Sequence, residues 1–410
     1  MNIVVQKFGG TSVHSEERRE AAASHVQQAV EKGYKVVAVV SAMGRENDPY
    51  STDTLLSLIG GVKAHVPERE QDLLQSCGEI ISSVVFTNLL IGKGVAASAL
   101  TGKQAGFVTN GSFGNARITE MKTDALLERL KHDDVVVVAG FQGESTDGEL
   151  TTLGRGGSDT SATALGAALN AEFVDIFTDV DGIMTADPRI VDDAQPLKTL
   201  TYSEVSNMAY QGAKVIHPRA VEIAMYAKIP LRIRSLESDS FGTLITMSRD
   251  QLPGSDIEER LVTGITYVKD LAQVTVTKKE DDHEAASTIF THLAEQGISV
   301  DFINIGRTEI VFTVPMHKQE DVQHAIKSIG YPVILTPQCA KVSAVGAGMT
   351  GVPGVVSKIT KALFQEEIEI LQATDSHTTI WVLVKENYMH QAVNALHQMF
   401  DLANKQTHNA

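Results

Sequence analysis

The chain opens MNIVVQKFGGTSV, residues 1–13. An apolar run, Ile3-Val4-Val5, leads to Lys7, then to Phe8, the pair Gly9-Gly10, Thr11 and Ser12. The apolar run reads as a strand. Ser15 reads as the cap of a helix that continues to about Lys32, with Gly33 as its stop. The stretch is therefore a strand-to-helix turn stripped of side chains. Glycine lets backbone N–H groups approach a ligand closely, and successive N–H groups form a concavity for anions. Lys7 adds a point charge suited to a phosphate. The lysine precedes the glycines, so this is not the P-loop order. The competing interpretation is a plain glycine turn with a solvated lysine.

The same alternation continues outward. Val36–Val40 and Val135–Ala139 are all-apolar runs, as expected of strands buried on both faces. Further strands fall near Ala96–Leu100 and Phe173–Phe177. Helices fall near Gln71–Leu90, Thr123–Leu130 and Asp159–Leu169. The pattern predicts an α/β fold, a mostly parallel sheet between helices, over residues 1–235. A polar stretch with Ser, Asp, Gly and Pro reads as a linker, placed at 236–262. Beyond it a shift of 70 residues aligns Ile289 with Ile359, Leu293 with Leu363, Ile310 with Ile380 and Ala325 with Ala395. Each copy reads helix, strand, turn, strand, helix. Leading strands at Val274–Thr277 and Val342–Val345 complete two α+β units of βαββαβ type, 263–338 and 339–405.

The chain has 410 residues, 35 basic against 51 acidic, and a net charge of -16. That balance argues against nucleic acid and anionic membrane as partners. No run reaches the roughly 18 apolar residues of a membrane span, and the segment before Lys7 is too short for a signal peptide. Cys77 and Cys339 have no metal-ligand spacing, which favours a reduced, cytoplasmic protein. Nothing else in the sequence supplies a metal-ligand set.

Three more stretches carry candidate polar residues, the first of them at another strand-to-helix turn. In TTLGRGGSDTSATALGAAL, Thr151–Leu169, Gly154, Gly156 and Gly157 surround Arg155, and Ser158 and Asp159 are candidate caps. An Arg-Gly-Gly turn offers N–H donors and a planar guanidinium to a carboxylate or phosphate. FTDVDGIMTADPR, Phe177–Arg189, follows a strand, where open α/β sheets bind ligands. QGAKVIHPRA adds Lys214, His217 and Arg219, with His217 read as a structural residue at a helix start. Ser41, Thr52, Asp53 and Glu79 are further polar candidates, and a carboxylate at Glu79 suits a substrate ammonium. No Ser–His–Asp order and no Cys/His cluster stands out. Phosphoryl transfer, which depends on positioning and charge neutralisation, fits best.

Taken together these blocks resemble the aspartokinases of the amino acid kinase superfamily, and the tail resembles their tandem ACT domains. VQKFGGTSV, TTLGRGGSDTSA, FTDVDGI and GAKV with HPRA carry the resemblance. It implies transfer of a phosphoryl group from ATP, with Mg2+, to L-aspartate, at the head of diaminopimelate, lysine, threonine and methionine synthesis. It implies ATP contacts at Lys7, Phe8, Gly9, Gly10, Thr178, Asp179, Met184, Arg189 and Lys214. Met184 stands where many relatives carry tyrosine. It implies substrate contacts at Ser41, Thr52, Glu79, Arg155, Gly156, Gly157, Ser158 and Asp159, with Lys7 and Asp159 catalytic. The tail implies feedback by an amino acid, meso-diaminopimelate, lysine or threonine, and a homodimer or higher oligomer. Candidate effector residues are Asp301, Asn304, Val352, Pro353, Gly354, Val355, Thr374 and Asp375. Other enzymes of the superfamily and a non-catalytic amino-acid sensor are the alternatives.

Overall fold

The opening run forms β1 (Ile3–Phe8), so Lys7 lies within the strand and not beyond it. The computed structural model describes residues 1–213, 215–247, 261–346, 349 and 352–403. They fall into two compact units.

The first unit holds residues 1–183, 196–209 and 215–247. Its strands are β1, β2 (Lys35–Val40), β3 (Ala97–Leu100), β4 (Phe107–Thr109), β5 (Ile118–Met121) and β6 (Val135–Ala139). They continue with β7 (Gln142–Ser145), β8 (Leu150–Thr152), β9 (Val174–Thr178), β10 (Thr199–Thr201), β11 (Leu231–Ser235) and β12 (Thr243–Thr246). Eight of these form one sheet in the order β10-β12-β11-β9-β1-β2-β6-β3. All its pairings are parallel except β11 with β12. The valines of β2 and β6 are buried on both faces, as their unbroken apolar runs require.

Helix α1 (Glu16–Glu31) starts where the sequence indicates, with Ser15 Oγ accepting the Arg18 N–H at 3.3 Å. It stops before Gly33, whose φ is +87°. The predicted helix near Gln71–Leu90 is two helices, α2 (Glu68–Gln75) and α3 (Cys77–Gly92), joined at Ser76. By length and composition Glu68–Gly92 would pass for a membrane span. Here α3 covers β3 and β6 and buries Glu79, as a core helix does. Two more helices shape the unit, α4 (Gly157–Ala168) and α5 (Pro218–Ala227).

Two further features differ from the sequence-based expectation. Residues 243–246, placed in the linker, form β12 of the main sheet. A second sheet, β5-β4-β7-β8, has strands of three or four residues, too short for a periodic signal. The rest of the linker, 248–260, lies outside the described residues.

The second unit holds residues 184–195, 210–213 and the described residues from 261 onward. Its helices are α6 (Ala285–Glu295), α7 (Gln319–Ser328), α8 (Val355–Gln365) and α9 (Met389–Met399). Its strands are β13 (Gly264–Thr277), β14 (Asp301–Ile305), β15 (Glu309–Pro315), β16 (Val333–Val345), β17 (Gln372–Asp375) and β18 (Thr379–Lys385). The shift of 70 residues carries α6 onto α8 and β15 onto β18 without an offset. The sheet order β14-β15-β13-β16-β18-β17 is symmetric about its centre. The expected leading strands are the ends of two long strands, β13 and β16, paired from Gly264↔Val345 to Val276↔Val333.

The two copies therefore interlock. Val274, Ile289, Ile310 and Ile326 share the first core. Ile265, which precedes the first copy, joins Val342, Ile359, Ile380 and Leu396 in the second. Ala186 and Val191 complete that second core. The segment is pinned by the Ile265 N–H to the Thr185 carbonyl (2.8 Å) and by Thr185 Oγ1 to His397 Nε2 (2.9 Å).

One buried charge group stabilises the main sheet. Asp175, fully buried in β9, accepts from Arg232 Nε at 2.6 Å and Nη2 at 2.8 Å, with Arg234 Nη1 at 3.4 Å. Removing the acid leaves two guanidinium groups without their partner. Asp175→Ala is expected to lower unfolding free energy by about 3–5 kcal/mol, measured by urea titration; a loss under about 1 kcal/mol would show the arginines to be satisfied elsewhere.

Candidate active site

Sheet register brings the candidate residues together. Phe177, Phe8, Val40 and Ala139 lie in one row at the carboxyl ends of β9, β1, β2 and β6. The strand order reverses around β1, with β2 on one side and β9 on the other. Open α/β sheets form their ligand crevice at such a point.

Gly9 and Gly10 make the turn after β1. A Cβ on Gly10 would lie 2.6 Å from the Ala42 carbonyl oxygen and 2.8 Å from that of Gly44, so only glycine fits. The Ser41 N–H donates to the Phe8 carbonyl at 3.1 Å, joining this turn to the one after β2. The Phe8 ring is buried and stacked on Phe177 with centroids 4.9 Å apart. Any ligand contact at Phe8 is therefore through its backbone.

Lys7 Nζ and Asp159 Oδ1 form an ion pair at 2.7 Å, each side chain only 13% exposed. Asp159 lies in the first turn of α4, and Gly156 occupies the cap position. The expected cap role of Ser158 and Asp159 is thus not what these side chains do. Ser158 is buried, and Asp159 Oδ2 instead accepts the His217 N–H at 3.3 Å. Arg155 projects exposed from the turn. Gly154 and Gly156 both have φ of +71°, which favours glycine, and a Cβ on Gly156 would fall within the His217 ring. His217 is thus the wall against which the Arg155 turn is built. Its pKa is lowered, first by burial; Asp159 opposes this, while Arg219 and Arg155 add to it. Arg219 fastens α5 to the same turn, donating to the carbonyls of Leu153 at 2.8 Å and Ala116 at 2.9 Å. Sequence reasoning named His217 and Arg219 but did not foresee these contacts.

Glu79, in the first turn of α3, is 2% exposed. Its Oε1 accepts the Ala42 N–H at 3.0 Å, and its Oε2 has no hydrogen-bond partner among the described residues. Burial pushes its pKa up to about 8, against the pull of the Ala42 N–H and its own backbone N–H. A buried acid with one open oxygen suits a cationic ligand group. Ser41 and Thr52 are half-buried, Thr52 opening the helix Thr52–Ser57 capped by Ser51.

At the end of β9, Thr178 Oγ1 donates to Asp179 Oδ1 at 3.1 Å, and Asp179 pairs with Arg45 at 3.4 Å. Arg45 belongs to the loop after β2 and was not a candidate from sequence. Met184 and Arg189 belong to the second unit, where Arg189 pairs with Asp187 at 2.7 Å. Lys214 lies outside the described residues. Among the described residues no group of three or more His, Cys, Asp and Glu could hold a metal ion.

Four of the effector candidates lie on two strands that touch, Gln372 Nε2 of β17 donating to the Phe302 carbonyl of β14 at 2.5 Å. Asp301 and Asn304 lie on β14, Thr374 and Asp375 on β17, the first and last strands in the sheet order. Val352, Pro353 and Gly354 lead into α8, where Val355 is buried. Asp301 Oδ2 is paired with Lys341 Nζ at 2.5 Å.

Comparison with known proteins fits this geometry. Residues 2–235 match the model of the amino acid kinase family and residues 334–398 that of the ACT domain. The protein is thus a member of the amino acid kinase family with a C-terminal ACT region. Within that family the chain belongs to the aspartokinases. It is 58% identical over 403 residues to Aspartokinase 1 of Bacillus subtilis, covering 98% of this chain and 100% of that one. Escherichia coli aspartokinase III, solved with aspartate and ADP, superposes with a TM-score of 0.78 at 25% identity, over 97% of this chain and 99% of that one. Its form with lysine and aspartate gives 0.74 at 26% identity, with the same coverage.

The Glu79 environment predicts a pH effect on stability. Between pH 4.5 and about 8 the unfolded chain is ionised here while the folded one keeps its proton. The folded state then binds more protons, so stability falls as pH rises through that window. Glu79→Gln is expected to remove a slope of up to about 1.4 kcal/mol per pH unit, read from urea melts of ligand-free protein. An unchanged slope would mean that Glu79 is already ionised in the fold.

Proposed function

We propose that this aspartokinase moves the γ-phosphoryl group of ATP onto the side-chain carboxylate of L-aspartate, giving 4-phospho-L-aspartate and ADP, through the residues assembled at β1, α3 and α4. The observation that carries the assignment is the Lys7–Asp159 pair, which joins the two glycine turns at the carboxyl end of the sheet.

The attacking carboxylate is already an anion at neutral pH, with a reference pKa of about 3.9, so the reaction needs no general base. Its obstacle is the repulsion between that anion and the polyphosphate. Lys7 sets a positive charge between them, and Asp159 holds the ammonium in place. The N–H groups of Gly9 and Gly10 face the phosphates. Arg155 clamps the substrate α-carboxylate, and Gly156, Gly157 and Ser158 shape that turn. Glu79 receives the α-ammonium and gives up its proton as the cation arrives. Ser41 and Thr52 border the substrate. Thr178 and Asp179 contact the nucleotide, joined by Met184, Arg189 and Lys214. Mg2+ enters as part of the MgATP substrate.

The ACT region supports feedback by an amino acid of the lysine, threonine or meso-diaminopimelate group. We assign its contacts to Asp301 and Asn304, to Val352, Pro353, Gly354 and Val355, and to Thr374 and Asp375. Ile303 and Ile305 stand exposed on the edge strand β14. An exposed apolar edge favours a second copy, so a homodimer or larger assembly is the expected state. Two cysteines far apart in sequence, Cys77 and Cys339, favour a reducing compartment, the cytoplasm.

ADP release measured with aspartate, glutamate, N-acetylglutamate and UMP as acceptors, with and without each effector, tests the assignment. Lys7→Ala is expected to lower kcat by roughly 100-fold or more while the KM for aspartate moves little. A preserved kcat with only the KM for ATP raised would remove Lys7 from the transition state. Arg155→Ala is expected to raise the KM for aspartate roughly 10- to 100-fold, the worth of a charge-assisted hydrogen bond; an unchanged KM would refute the clamp.

A further inference from the structure

We propose that Asp72 is a positioning residue for the amino-acid substrate: its carboxylate fixes the separation between Arg155 and Glu79. Asp72 lies in α2 with its side chain wholly buried. Oδ2 accepts the Thr152 N–H at 2.8 Å and the Gly114 N–H at 3.0 Å. Oδ1 accepts the Thr152 hydroxyl at 2.7 Å and the Gly114 N–H at 3.1 Å. Among the described residues it has no cationic partner within ion-pair distance. Burial raises its pKa, while the bonds from Gly114 and Thr152 pull it back.

A buried carboxylate without a cation is an expensive way to fill space. The groups it binds show what it holds. Thr152 ends β8, three residues before Arg155. Gly114 is the other wall of the same turn: a Cβ on Gly154 would lie 2.9 Å from the Gly114 carbonyl oxygen and 3.0 Å from Asn115 Oδ1. Asp72 thus grips both segments that deliver Arg155.

Its own chain leads to the other end of the substrate. Glu79 follows Asp72 by seven residues, two helical turns or about 10 Å. Ser76, between α2 and α3, keeps helical dihedrals, φ -61° and ψ -19°. The junction has a second tie to the sheet, Gln142 Nε2 donating to the Ser76 carbonyl at 3.0 Å. Asp72 therefore links the helix that carries Glu79 to the strand that leads to Arg155. An α-amino acid needs both a cation and an anion site at a fixed spacing. The Lys7 turn is not among the groups that Asp72 holds, so loosening it misplaces the amino acid and spares the nucleotide.

This inference rests on the assignment of Arg155 and Glu79 to the substrate's two charged ends. That assignment is tested first, by aspartate turnover in the unmodified chain and by Arg155→Ala; its failure shows there, before any change at Asp72. The steady-state KM values for aspartate and ATP are then measured for Asp72→Asn, Thr152→Val and Thr152→Ser, with thermal melting alongside. Asp72→Asn turns an amide NH2 toward N–H donors. It is expected to raise the KM for aspartate about tenfold or more while the KM for ATP stays within about twofold. Thr152→Val, which loses only the hydroxyl bond, is expected to raise the KM for aspartate by about threefold, and Thr152→Ser to restore it. In an Arg155→Ala background the effect of Asp72→Asn is expected to shrink to near nothing. The proposal is overturned if both KM values rise together, if the effect persists in full without Arg155, or if melting falls with the KM for aspartate unmoved. Should Asp72→Asn fail to fold, the Thr152 pair decides between these outcomes alone.

Discussion

The catalytic unit is organised around one ion pair, Lys7 with Asp159. Lys7 lies on the strand that enters one glycine turn, and Asp159 on the helix that leaves another. Gly10 packs under the carbonyls of Ala42 and Gly44, and Gly156 packs under the His217 ring. The pair therefore constrains more than two side chains. It fixes the end of β1 against the first turn of α4 and, through the Asp159–His217 bond, against the start of α5. A half-buried ammonium with a single carboxylate partner remains able to turn toward a phosphate, since the acid compensates its charge without filling all three of its donors.

Charge also explains why the second acid, Glu79, is placed differently. Asp159 is only partly buried and is paired with a lysine, whereas Glu79 is buried with one oxygen open. An acid that is neutral until a cation arrives costs the empty protein less than a permanent buried anion. In the proposed reaction the site would present a net positive face, Lys7 and Arg155, to two anionic substrates, and would acquire the negative charge of Glu79 only when an ammonium reached it. A protein of net charge -16 needs such a local reversal to bring aspartate and ATP together.

The sequence made part of this legible because the signals were local. The valine runs of β2 and β6, the Ser15 cap with its Gly33 stop, and the 70-residue repeat each depend on a short window. Lys7, Arg155, Asp159 and Glu79 stood out because their types and neighbours already suggested charge chemistry. Asp72 did not, because one of three acids within EREQDLLQ looks like part of a solvated helix face. Its partners, Gly114 and Thr152, are distant in sequence and lie around a sheet whose short strands leave no periodic trace. The break between α2 and α3 was invisible for a similar reason: Ser76 keeps helical dihedrals while the local hydrogen bonding changes.

The domain boundary was hard to read for a different physical reason. A linear division assumes that each core is closed by its own segment, and the second unit is not built that way. Ile265 serves the second copy although it precedes the first, and Ala186 and Val191 serve it although they follow β9 by only a few residues. Packed interiors respond to the loss of even one methylene, so residues 184–195 are part of the regulatory core in every sense that affects stability. The same segment begins five residues after Asp179. Thr185, buried against His397 on α9, is a fixed point of that segment within the second core.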